Sequence, residues 1–185
     1  MRCLLNTIYK ASGVLAAACL ASIGLLVLAQ VMCRIINGIA KSISGESLGL
    51  VIPSVAEFAA FLLVASAFLG LAYSMRHGSH IRVSLLTQKL SAQAKRKVEI
   101  FCLLTGFLLA AFCSWHAVLL VLDSWQFHEQ SYGVISVSLW WVQLPMALGL
   151  VILSIALLDD LVVVLGGEDA SYTLVDASED MEVAE

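Results

Sequence analysis

Four long apolar runs constrain this chain more than anything else in it. They occupy positions 14–33, 52–73, 100–122 and 138–158, and each is close to the ~20 residues a helix needs to cross the hydrocarbon core of a bilayer. Lipid offers no partner for backbone N–H and C=O groups, so each run must satisfy its own as a helix. With 61% hydrophobic and 13% charged residues in 185, the chain is far from a soluble domain, in which roughly half the residues are apolar and a quarter charged. The sequence therefore predicts an all-α integral membrane protein with four transmembrane helices, a single unit over 1–166 followed by a tail at 167–185. No segment is left over for a soluble domain.

Charge placement orients the spans. Six of the ten Lys and Arg residues fall in 76–97, between the second and third runs, and basic residues in short loops are retained on the cytoplasmic side. Placing the N-terminus inside adds Arg2 and Lys10 to that side and leaves only Arg34 and Lys41 outside, so both termini are expected to be cytoplasmic. The tail carries Glu168, Asp169, Asp176, Glu179, Asp180, Glu182 and Glu185 with no basic residue. Acidic residues have little weight in orientation, and this stretch reads as a solvated, unstructured end. The first run is longer than a signal-peptide h-region and no small-x-small site follows it, which argues for a retained span.

Between spans two and three, Val83, Leu86, Leu90 and Ala94 recur at helical spacing, with Arg82, Lys89, Gln93 and Arg96 on another face. A short amphipathic helix is expected there, lying on anionic headgroups over Arg82 to Lys97 or packing against a partner protein. The segment 37–49 reads as an extracytoplasmic loop. Pro53 suits a helix start, where its missing N–H has no intrahelical partner, and Pro145 should kink span four near its outer end. Trp125, Trp140 and Trp141 fall at the outer ends of spans three and four, the interfacial position for indole. Small residues four apart, at Ala17 and Ala21, Ala56 and Ala60, Ser66 and Gly70, and Gly106 and Ala110, would let helices approach closely.

Ionisable residues inside spans are costly and each needs a partner. Glu57 lies near the start of span two and Arg34 at the end of span one, so an ion pair between them is expected, with Gln30 one turn below Arg34 adding a hydrogen bond. A proton or ion relay would need acids or histidines at deeper levels, where span two offers only Ser66. His116, with Trp115 and Asp123, lies in the outer half of span three. A membrane imidazole can ligate haem, but haem held between helices needs a second histidine at matching depth, and His77, His80 and His128 do not supply one. The cysteines, Cys3, Cys19, Cys33, Cys102 and Cys113, include no C-x-x-C pair. No phosphate loop, G-x-S-x-G or H-E-x-x-H motif is present. The residues point to no catalytic, substrate-binding or metal site and to no nucleic-acid partner. A haem or quinone anchor subunit of an electron-transfer complex, and a small self-associating channel, remain the competing readings.

Glu57 opening span two, the run Phe68-Leu69-Gly70-Leu71-Ala72, then Arg76-x-Gly78-x-His80-Ile81-x-Val83 with Leu85 and Leu86, resemble the small membrane subunit of tripartite ATP-independent periplasmic (TRAP) transporters, the DctQ-like family. The layout of spans and Leu144-Pro145 near Trp140 and Trp141 agree. The resemblance is strongest over 57–90, and Ser84 stands where the family usually has Asp. It implies a subunit of the bacterial inner membrane without cofactor or enzymatic activity. Such a subunit pairs with a large permease subunit that holds substrate and sodium, while a periplasmic binding protein delivers an organic acid anion. Arg34, Glu57, Gln30, Arg76, Gly78, His80 and Arg82 are then candidates for assembly rather than chemistry.

Overall fold

The computed structural model describes residues 2–44, 46, 48–76 and 92–166. They form four helices, α1 Arg2–Ser44, α2 Val55–Arg76, α3 Ala92–Gln126 and α4 Leu139–Leu165. All four are long and apolar enough to cross a membrane. Among the described residues there is no β-strand, only an isolated antiparallel bridge between Gln130 and Ser138. The acidic tail, and Gly78, His80, Arg82 and Ser84 of the basic connector, lie outside the described residues.

The helices pack in the order α1, α2, α4, α3, with α1 barely reaching α4. The inner pair, α2 and α4, run parallel to one another, because Gly149 lies against Phe68 near their middles and Arg76 meets Asp159 at their far ends. The flanking helices run the opposite way. Small residues set these seams. A Cβ on Gly149 would overlap the backbone of Phe68, so α2 and α4 approach closely at this point, as small residues at a membrane helix seam allow. On the other side of α2, Ser66 Oγ donates to the Ala16 carbonyl at 3.0 Å, and Gly70 faces the Ala16 methyl. Gly106 of α3 faces Leu157 of α4, and Ala110 is buried along the same seam. Of the expected small-residue pairs, Ser66 with Gly70 and Gly106 with Ala110 therefore sit in seams. Ala17, Ala21, Ala56 and Ala60 are exposed.

Several boundaries differ from those expected. Helix α1 continues through positions 37–44, where the sequence suggested a loop, because nothing there breaks a helix and a lone Gly38 is tolerated at about 1 kcal/mol. The side chain of Asn37 then grips the returning connector by both backbone groups of Leu50, donating to its carbonyl at 2.6 Å and accepting from its N–H at 3.1 Å. The apolar part of α1, Leu5–Ile43, has 39 residues, which is ~58 Å of helix against a hydrocarbon core of ~30 Å. Helix α2 starts after Pro53 rather than on it, and Ser54 takes the left-handed conformation (φ 57°) just before the first turn. Residues 92–97 of the expected amphipathic helix are the opening turns of α3, continuous with the span. Helix α4 runs on to Leu165, which carries Asp159 and Asp160 into the bundle.

Candidate functional site

All four helices converge at one end of the bundle on a charged cluster. The last residue of α2, Arg76, donates from Nη2 to Asp159 Oδ2 of α4 at 2.9 Å. Its guanidinium lies 4.6 Å from the ring centre of Tyr9 on α1, within the range of a cation–π contact. Tyr9 is 1% exposed and Asp160, next to the pair, is fully buried. The surroundings are apolar: Ala72 and Met75 from α2, Leu103 from α3, and Ala156, Leu161 and Val164 from α4. Ser12 lies one turn along α1 and donates to the Tyr9 carbonyl at 2.9 Å.

This geometry follows from the parallel course of α2 and α4. Each helix ends on the same side, so a cation closing one finds an anion closing the other. The pair is mostly desolvated, at 15% and 20% side-chain exposure, so neither charge is free to be rehydrated if its partner is lost. The same end carries a second basic contact. Arg96 of α3 donates to the carbonyls of Val164 and Leu165 at 3.0 and 3.4 Å, where the last turn of α4 has acceptors without intrahelical donors and the dipole favours a cation.

The opposite end is closed by a strap. The α3–α4 connector, 127–138, turns back on itself through Ser131 N–H to Val137 O at 2.8 Å and Leu139 N–H to Glu129 O at 3.0 Å. Ser124 Oγ holds Glu129 Oε2 at 2.9 Å. At the tip, Ser131 Oγ donates to Glu57 Oε1, and Gly133 sits so close to the same carboxylate that a Cβ there would overlap it. Glu57 is also in the first turn of α2, where a carboxylate complements the helix dipole.

The expected Arg34–Glu57 ion pair is therefore replaced. Gly13 lies against Tyr73 and Ala16 against Gly70, and this antiparallel register brings Glu57 alongside about position 29, about five residues or ~8 Å short of Arg34. Arg34 is exposed on the extension of α1 and makes no ion pair among the described residues, while Gln30 is half-buried below it. The structure brings Arg76 into the charged cluster, and Gly78, His80 and Arg82 lie outside the described residues. Trp125 and Trp141 are more than half exposed. Trp140 stacks on Trp141 at 4.4 Å and, with Trp125, lines a shallow apolar groove between the ends of α3 and α4.

Tyr9, Asp159, Asp160 and Ser131 were not expected from the sequence. The signal for Asp159 and Asp160 was available: spans two and four thread the same way, so a basic residue at the end of one and adjacent acids at the end of the other belong at one level. Among the described residues no three His, Cys, Asp or Glu side chains gather as a metal site would need. The arrangement locks helices together at both ends.

A family model, that of the tripartite ATP-independent periplasmic transporters, DctQ component, matches residues 23–166. No curated protein matches the chain.

Proposed function

We propose that this chain, which belongs to the DctQ family of TRAP transporter components, is the fixed framework subunit of a sodium-coupled importer of an organic acid anion. In this reading it resides in a bacterial inner membrane with both termini cytoplasmic. A large permease subunit supplies the substrate and sodium sites, and a periplasmic binding protein delivers the solute. DctQ is a family of transporter components and not of enzymes.

The observation that carries the framework role is the double closure of the bundle. At one end Arg76 ties α2 to α4 and stacks on α1, and at the other Ser131 ties the α3–α4 connector to Glu57 of α2. A subunit that moved substrate would need helices free to part along a pathway. Here the inner pair is in backbone contact at Gly149 and Phe68. Arg34, Gln30, Gly78, His80 and Arg82 are assigned to assembly with the partner subunit, Lys89, Lys95 and Lys97 of the basic segment to anionic lipid, and Trp125, Trp140 and Trp141 to the membrane interface.

Copurification tests the reading. The tagged chain, extracted in mild detergent from cells that express all components, should bring down the large permease subunit in equimolar amount. Recovery of the chain alone under conditions that keep the permease soluble would overturn it.

A further inference from the structure

We propose that the outward face of α3, centred on His116, seats a transmembrane helix of the large permease subunit, and that this helix supplies the hydrogen-bond partner of His116. The inference rests on the transporter reading above and names the surface through which the two subunits meet.

One side of α3 is spoken for. Leu103, Ala110, Ser114, Ala117 and Ser124 are buried, and the helix packs along α4. The other side carries Phe101, Leu108, Phe112, His116, Leu119 and Asp123, all exposed and spaced three, four or seven apart, the spacing of a single helical stripe. Lipid would cover such a stripe without difficulty were it wholly apolar. Two residues depart from that, Asp123 at the end of the span and His116 within it. His116 lies six residues before Leu122, the end of the apolar run, hence ~9 Å inside it. Its ring touches Phe112, with centroids 4.5 Å apart, and it makes no hydrogen bond among the described residues.

An imidazole carries a donor and an acceptor in either neutral tautomer. Left facing acyl chains, both are unsatisfied, at a cost of several kcal/mol in an environment that cannot hydrogen-bond. Ionisable side chains in spans accordingly turn to protein or to water-filled cavities. The occupant of this face is therefore protein. A second copy of the chain fits poorly. Copies thread the bilayer the same way, so a symmetric contact through this face sets Asp123 beside Asp123, like charge against like. A different membrane subunit, with a polar side chain opposite His116, has no such conflict.

Two measurements in the full complex decide the matter. A photo-crosslinking residue at position 112 should join the chain to the large subunit, whereas one at position 28, on the exposed side of α1, should not. Adducts from 112 with a second copy, or with lipid only, overturn the assignment, as do large-subunit adducts confined to position 28. In parallel, His116→Leu should lower the permease recovered per copy of this chain by about three- to fifteen-fold, the range of single interhelical hydrogen bonds in membranes, while His116→Gln should retain most of it. Unchanged or increased recovery with His116→Leu overturns the proposal yet leaves the transporter reading standing. If the wild-type chain brings down no permease, both fall.

Discussion

Arg76 and Asp159 show how much one pair of residues can decide in this protein. Removing one member of a fully buried pair costs about 3–5 kcal/mol, because the survivor stays charged without compensation. At 15% and 20% exposure the loss should be smaller, and Asp159→Ala is expected to destabilise the folded chain by roughly 2–4 kcal/mol. The double variant Arg76→Met with Asp159→Leu removes both charges and should recover most of that. Reversible unfolding in mixed micelles measures it, and additive effects of the single changes would show that the pair is not coupled. At the other end, Ser131→Ala deletes a donor to a carboxylate and should cost about 1.5–3 kcal/mol. Gly133→Ala should cost more, since it must push the strap off Glu57. Equal effects of these two substitutions would mean that the strap is not seated on the carboxylate.

At the scale of elements, the seams rest on the absence of side chains. Gly149 has the Phe68 backbone where its Cβ would go, whereas Gly24 of α1 has open space around it. Gly149→Ala should therefore force α2 and α4 apart and destabilise by about 2 kcal/mol or more, in the range of overpacked cores. Gly24→Ala should be neutral or stabilising by up to about 1 kcal/mol through helix propensity. A thermal scan of both variants separates packing from propensity, and destabilisation by Gly24→Ala to a similar degree would contradict the observed seams. The elements were largely legible in the sequence, because apolar length in lipid admits only helices. Their ends were less so. Positions 37–44 contain Gly38 and Ser42 and look like a loop, yet they continue α1, since no proline stops it and Asn37 secures the chain that follows. The α3 start shows the same effect, with Arg96 held by the end of α4 and not free on a separate surface helix. The candidate site was legible in part. Arg76 and Glu57 could be picked out as charges at span ends, but their partners depend on which helices are neighbours and in what register, and hydropathy does not encode that.

At the scale of the whole molecule, the order α1, α2, α4, α3 leaves the flanking helices α1 and α3 covered on one side only. Their outward surfaces hold much of the exposed apolar area, from Leu25 and Leu28 on α1 to Phe101 and Phe112 on α3. A chain of this shape suits a role in which it borders a larger membrane body. If it is the framework subunit proposed above, its substitutions should act on assembly and not on solute preference. The direct measurement is solute uptake by proteoliposomes that contain the large permease subunit, with the binding protein and a sodium gradient, prepared with and without this chain. Uptake is expected to fall to background without the chain. With Asp159→Ala it should be reduced in maximal rate while the half-saturating solute concentration is unchanged. Full uptake in liposomes that lack the chain would contradict a framework role.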